Sequence, residues 1–416
     1  MYYNTYLTLS IASFLLKIYM EKRTVLVSGA SIAGPTLAFW LSRFGFEVTV
    51  VERAPELRLG GQNIDVRDEA QKVVQLMGLE DKIRAANTGE LGIRFVDAAH
   101  RIKAEFPKAN SDFGTAELEI LRGDLAQILY HATRENVGYI FDDQITVLED
   151  QGNQVLVTFK NSAPRIFDLV IAADGIRSTT RKLMFGDEPQ IKYIGVYCSY
   201  LTIPRIESDD EWAYWYNPPG SRVLNTRPDN VGTTRASFSF LSPDNGYEKL
   251  DLVKQREILK DKFADAGWQA PRILKALDQS KDVYFDRISQ VKAPRWSNGR
   301  CAMVGDAAYC PTPMSGMGAS LSIVGAYILA GELGRHQNHQ DAFKAYEKLM
   351  RPFAEGIQNL PPGVPWVAHP KTKLGITLFN AVLGIASSRL VKKISKIFGG
   401  NAKKDLKERV KLPNYK

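Results

Sequence analysis

A chain of 416 residues with 44% hydrophobic and 24% charged side chains has the balance of an ordinary folded protein, and it exceeds the roughly 250–300 residues at which a single core stops growing. That excludes a fibrous or mostly disordered chain and predicts at least two packed units with room for a large ligand. The formal charge of +8 belongs to the tail: residues 371–416 hold twelve Lys/Arg against Asp405 and Glu408, a net of +10 that leaves −2 for the rest, and with no aromatic platform interleaved the chain does not read as nucleic-acid binding.

In chain order, the apolar run from Leu7 to Met20 is broken by Lys17 and lacks a basic leader or a small-residue cleavage site. It is shorter than the ~20 residues of a membrane span, so no stable membrane insertion is expected. Met20 directly precedes Glu21 and the first strand, so residues 1–19 read as an N-terminal extension and the chain could equally start at Met20. Thr24–Ser28 is a continuous β-branched and apolar run closed by Gly29, the pattern of a central parallel strand. A helix follows from Pro35 to Arg43, with proline in its first turn and Gly45 to end it. Glu47–Glu52 is a second strand, and the whole makes one βαβ unit.

Further strands are expected at Val155–Phe159 and Phe167–Ala173. Between about 190 and 290 the texture changes. Tyr197–Ile203, Arg222–Thr226 and Thr234–Leu241 alternate like half-exposed antiparallel strands, with Trp212, Tyr214, Trp215 and Tyr216 among them. Cys301–Val304 is again a buried strand and Ser322–Leu333 a helix, which returns the chain to its first unit. The three cysteines, Cys198, Cys301 and Cys310, are odd in number and lack CxxC spacing. They speak against a disulfide framework or a zinc site and suit a reducing, cytoplasmic compartment.

The turn Gly29-Ala30-Ser31-Ile32-Ala33-Gly34 follows the dinucleotide fingerprint, with Ser31 in the place of the middle glycine. There the first glycine permits the turn, the last permits close helix packing, and phosphate rests on the helix N-terminus. Glu52, 18 residues past Gly34, ends the second strand where an acid accepts from ribose hydroxyls. That unit alone suits NAD or FAD.

Two later segments separate them. Asp174-Gly175-Ile176-Arg177-Ser178-Thr179-Thr180-Arg181 resembles the DGxxSxxR fingerprint of flavoprotein hydroxylases. Gly305-Asp306-Ala307-Ala308, running through Pro311, Pro313, Gly316, Met317, Gly318 and Ala319, resembles their GD segment and flavin loop. Three fingerprints in that order identify the chain as a member of the class A FAD-dependent aromatic hydroxylases. Within them it is most similar to the tetracycline destructases, over most of residues 22–355, including Gly60-Gly61-Gln62, Glu119-Ile120-Leu121-Arg122-Gly123-Asp124-Leu125 and Val324–Leu333. It departs from the wider pattern at Tyr309, where His is frequent, and at Ser320, where Asn is common.

The resemblance implies an α/β fold: a Rossmann-like FAD-binding domain (20–190 and 285–355), an inserted antiparallel-sheet substrate domain (191–284) and a C-terminal helical segment (356–416). FAD is expected at Gly29, Ser31, Ile32, Ala33, Gly34, Glu52, Arg53, Asp65, Arg122, Asp174, Arg181, Asp306, Pro313, Gly316, Met317, Gly318 and Ala319. Arg58 matches a position implicated in nicotinamide cofactor binding, with a solvated loop arginine as the alternative, and Arg122 has the alternative of a surface arginine opening a helix. The implied reaction is reduction of FAD by NADPH or NADH, formation of a flavin C4a-hydroperoxide with O₂, and oxygen transfer to a polycyclic aromatic or phenolic substrate, with no catalytic triad. Tetracycline inactivation is the expected activity, another aromatic hydroxylation the alternative, and a monomer the expected state. Substrate contacts are sought at Tyr200, Arg222 and Phe238, each with the alternative of a structural role.

From Trp366 onward Leu374, Ile376, Leu378, Phe379, Val382, Leu383, Ile385, Leu390, Val391, Ile394 and Ile397 recur at helical spacing, with Lys392, Lys393 and Lys396 near the end. Relatives use such a helix as a lid over the substrate. A helix shielding the domain seam and a membrane-surface helix holding a peripheral flavoprotein are the other two readings.

Overall fold

The computed structural model describes residues 22–108, 117–280, 283–388 and 411–415. The expected N-terminal extension, and Leu390, Val391, Ile394 and Ile397 with the three lysines among them, lie outside the described residues.

A six-stranded sheet is centred on Thr24–Ser28. Glu47–Val51 and then Gly138–Ile140 extend one side, and Leu169–Ala172, Cys301–Met303 and Ser297–Asn298 the other. Every pairing but the last is parallel. Val25, Leu26 and Val27 are all 0% exposed, so both faces of the central strand are covered. This explains why the segment reads as an unbroken apolar run instead of an alternating one. Helix Ala33–Arg43 leaves the Gly29 turn and packs along the long apolar helix Gly318–Arg335, with the rings of Trp40 and Tyr327 edge-on at 4.9 Å. Both helices begin before their expected starts, the first by two residues at Ala33 and the second by four at Gly318.

The second large sheet has seven strands in the order Val283–Lys292, Gln190–Pro204, Thr233–Leu241, Arg222–Pro228, Ala213–Tyr216, Gly92–Val96 and Ile102–Pro107. Its last two strands come from the segment expected to serve only the nucleotide-binding part, and Ala213–Tyr216 joins Gly92–Val96 in parallel. This pairing of strands more than a hundred residues apart leaves no local signature. One face of the sheet packs under helices Leu252–Phe263 and Ala270–Gln279, burying Tyr216, Leu224, Phe238, Phe240, Phe263 and Ile273. The other face looks toward the parallel sheet. A short ladder of Asn63–Val66 with Leu118–Leu121 stands between the two, and helix Lys373–Ser387 lies across Ile102–Pro107.

The fold is thus the expected one: a Rossmann-like parallel unit, antiparallel sheets and C-terminal helices. Among the described residues no helix is long and apolar enough to cross a membrane.

Candidate active site

The C-terminal edge of the parallel sheet gathers the chemistry. Gly29, Glu52, Asp174 and Asp306 each follow closely on the end of one of four adjacent strands, the edge at which open α/β sheets bind ligands. From there a cavity of about 2120 Å³ runs to the inner face of the seven-stranded sheet. Ligand pockets usually hold roughly 300–1,000 Å³, so this space suits two molecules in line.

At the nucleotide end, Gly29 has φ +109°, and a Cβ on Gly34 would stand 1.9 Å from the Gly29 carbonyl oxygen. The two glycines are therefore required by the turn and by helix packing. Glu52 is buried and accepts from the Ala30 and Ala54 amides at 2.9 and 3.0 Å. The departure at Ser31 has a partner: its hydroxyl accepts from Arg122 Nη1 at 3.0 Å, while Arg122 Nη2 donates to the carbonyls of Arg58 and Gly60. Arg122 thus ties the phosphate turn to the Gly60-Gly61 loop and is no surface arginine. Ile32, Ala33 and Arg53 line the same end, and Arg58 sits half-exposed at its rim, 3.6 Å from Glu52.

Asp174 accepts from the Ser178 hydroxyl and from the Thr180 amide, at 3.2 Å, and burial raises its carboxyl above the usual range. Burial likewise raises Asp306, which lines the cavity beside Cys310. Pro313, Gly316, Met317, Gly318 and Ala319 wrap the middle of the cavity opposite Asp65, which pairs with Arg67 at 2.7 Å. Thr312 in this loop holds φ +95°, a strained value for a β-branched residue, and its buried hydroxyl has no partner among the described residues. Ser320 answers the missing asparagine by accepting from the Arg67 amide at 2.9 Å. Tyr309 answers the missing histidine by packing on Trp296, ring centroids 4.6 Å apart. A glycine cradle, acids lining the cavity at three strand ends and a strained loop with an unmatched hydroxyl fit an extended dinucleotide cofactor.

Two expected cofactor residues do not face the cavity. Gly34 acts through helix packing, and Arg181 is buried, donating to the carbonyls of Ala307 and Ile176 at 3.0 and 2.7 Å. Arg181 fastens the Asp174 segment to the Asp306 segment.

The sheet end has a defined floor. Tyr284, Tyr200, Ser237, Asn225, Trp215 and Phe95 are successive cross-strand partners and share the inner face. Tyr200 therefore lies on the cavity side. Phe238 and Arg222 are corrections: they belong to the opposite parity, Arg222 facing Phe240 in register. The Phe238 ring packs on Phe263 at 4.7 Å, and Arg222 pairs with Asp265 at 2.6 Å and with the Lys262 carbonyl. A one-residue change of parity reverses the face, and composition does not fix it.

Phe95, Trp215, Asn225 and Tyr284 were missed because no motif marks them. Phe379 and Leu383 of helix Lys373–Ser387 close the cavity over Phe95 and Trp215. The base of that helix is latched to the sheet. Asn217 Nδ2 donates to the Ala368 carbonyl at 2.9 Å, Gly220 N to the Lys371 carbonyl at 2.8 Å, and Ser239 Oγ meets His369 Nε2 at 2.9 Å. His369 Nδ1 faces the Pro365 carbonyl at 2.8 Å, which fixes the neutral tautomer with its proton on Nδ1. Burial pushes His369 down to about 4.

The FAD binding domain family matches residues 22–359. A flavin-dependent monooxygenase of Legionella longbeachae is 39% identical over 350 residues, 83% of this chain and 88% of its own length. One from a Phoma species is 35% identical over 432 residues, covering 95% and 98%. The crystal structure of tetracycline destructase Tet(51) superposes with a TM-score of 0.77 at 34% identity, over 95% of this chain and all of that one. The chain belongs to the FAD-binding-domain family and, within it, to the class A flavin-dependent monooxygenases close to the tetracycline destructases.

Proposed function

We propose that the chain is an NAD(P)H-dependent monooxygenase that oxidises polycyclic phenolic compounds, tetracyclines among them. The observation carrying this reading is the continuous cavity that joins the Gly29 turn to an aromatic-floored sheet under a C-terminal helix. In it the adenine dinucleotide half of FAD would rest on the helix that begins at Ala33, with Glu52 accepting from the ribose, Arg53 and Arg122 near the phosphates, and Asp174 and Asp306 beside the sugar alcohol. The isoalloxazine would lie between Asp65 and the loop from Pro313 to Ala319. Bound FAD would supply the redox chemistry, taking electrons from NAD(P)H and activating O₂. The chain's part is to orient the substrate and keep water out: Phe95 and Trp215 stack a flat ring system, Tyr200 and Asn225 offer hydrogen bonds, and Phe379 and Leu383 seal the mouth. Arg58, at the rim and half-exposed, would meet the nicotinamide nucleotide from solvent.

Purified protein should carry a flavin spectrum and oxidise NADPH faster when tetracycline is added, giving a product heavier by one oxygen atom. Flavin with no tetracycline-dependent product would remove the substrate assignment. A phenol and polyketide panel would then decide among other aromatic hydroxylations. Colourless protein that does not take up FAD would remove the whole reading.

A further inference from the structure

Between the flavin loop and the aromatic floor, the cavity wall holds one guanidinium gripped by two buried carboxylates. Arg227 Nε and Nη2 donate to Glu90 at 2.7 and 3.0 Å, and Nη2 donates also to Glu119 at 2.5 Å. The side chains of Glu90 and Glu119 are 1% and 0% exposed, whereas Arg227 keeps 21% of its surface open. Glu119 is itself held: Asn63 Nδ2 donates to one oxygen at 2.8 Å and Thr88 Oγ1 to the other at 2.6 Å. These groups come from four separate parts of the chain, and the function proposed above uses none of them. Arg227 Nη1 has no protein partner among the described residues, and Arg227 lines the cavity. It sits on the same face of its strand as Asn225, two residues away, next to the Trp215 and Phe95 platform.

A guanidinium only donates hydrogen bonds, so whatever meets the open edge must be an acceptor, and a charged oxygen binds it about twice as strongly as a neutral one. Resting on the function proposed above, we infer that Arg227, positioned by Glu90 and Glu119, is the specificity residue that receives an ionised phenol or enol oxygen of the polycyclic substrate.

The buried acids set the terms. With both ionised the trio carries a net negative charge that repels such an oxygen; with Glu119 protonated it is neutral. Burial pushes Glu119 up to about 7, the Glu90 charge adds to the rise, and Arg227 opposes it. The other titratable or charged groups beside the trio are Asp65, with its partner Arg67, and the hydroxyl of Tyr200, which burial raises well above its usual value and so keeps neutral. Substrate binding therefore draws a proton onto Glu119.

The test titrates the FAD-loaded protein with a hydroxyanthraquinone, its methyl ether and tetracycline, following the flavin absorbance. Wild type should bind the hydroxyl compound at least tenfold more tightly than the ether. Arg227→Gln should erase that preference while retaining flavin, and Arg227→Lys should keep part of it. Glu119→Gln, which leaves Arg227 on Glu90 and the trio neutral, guards against a folding defect. The ratio of wild-type to Glu119→Gln dissociation constants cancels the ligand's own ionisation, and should rise from near one at pH 6 to about tenfold at pH 8. Equal binding of hydroxyl compound and ether by wild type, binding of neither, or an undiminished preference in flavin-loaded Arg227→Gln overturns the inference. Preference for the hydroxyanthraquinone with no binding of tetracycline sinks only the tetracycline assignment. Tetracycline oxidation with an indifferent Arg227→Gln sinks only the role of Arg227.

Discussion

Lowering the pH from 7 to 5 should loosen the base of the C-terminal helix through one residue, His369. Its ring is 3% exposed and neutral, with Nδ1 facing the Pro365 carbonyl and Nε2 facing Ser239. Burial depresses it from the ordinary 6.5 to about 4. A depressed value means that the docked state resists the proton while the undocked state takes it. The stabilisation is therefore complete above 6.5 and lost as pH falls toward 4. At pH 5 the undocked histidine is almost fully charged and the docked one neutral, which costs docking about 2 kcal/mol, or roughly a thirtyfold rise in opening. Hydrogen exchange of peptides spanning residues 364–387, corrected for the intrinsic pH dependence of exchange, reads this directly. Wild type should lose protection there between pH 7 and 5, and His369→Gln should not. The same pH-dependent loss in His369→Gln, or none in wild type, would refute the assignment of the latch to this side chain.

Gly34→Ala should yield protein with at least tenfold weaker FAD retention, measured as flavin absorbance per mole after dialysis, because the new methyl collides with the Gly29 carbonyl that shapes the turn. Phe379→Ala combined with Leu383→Ala removes the lid's contacts with Phe95 and Trp215. Both side chains are only half-buried, so the melting temperature should shift by a few degrees at most, while KM rises and more NADPH is consumed per product formed. At the far end, Tyr415 lies over Gly331, where a Cβ would meet its ring at 2.2 Å, and its hydroxyl bonds Glu332. Deleting Leu412–Lys416 should destabilise by roughly 1–3 kcal/mol through exposure of Tyr327 and Phe44, and Gly331→Ala should add little to that loss in a thermal melt. Arg222→Ala should leave kcat/KM unchanged and lower stability, since its partners Asp265 and Lys262 lie behind the sheet.

The parallel unit was legible in the sequence because its signals are local. A strand buried on both faces is apolar throughout, a turn that must pass Gly29 and Gly34 excludes side chains, and an acid at a strand end falls at fixed spacing. Those constraints act within about 30 residues, and the Asp174 and Asp306 segments repeat them at two more strand ends. The resemblance then identified the cofactor class.

The substrate side was not legible in the same way. Tyr200 lies on the cavity face while the side chains of Phe238 and Arg222 lie on the other, since alternation shows that a strand has two faces without saying which one meets the core. Only the pairing register, with helices Leu252–Phe263 and Ala270–Gln279 on one side, assigned them. Phe95 reaches the floor through a pairing with Trp215 across more than a hundred residues, Phe379 closes the roof from the far end of the chain, and Glu119 meets Arg227 and Glu90 from three separate segments. The sequence by itself determined where backbone must bend and where an acid must stand, because those are demands on neighbouring residues. Tertiary structure decided which side chains share the cavity, because contacts between distant strands depend on how the sheets stack and leave no periodic trace in the chain.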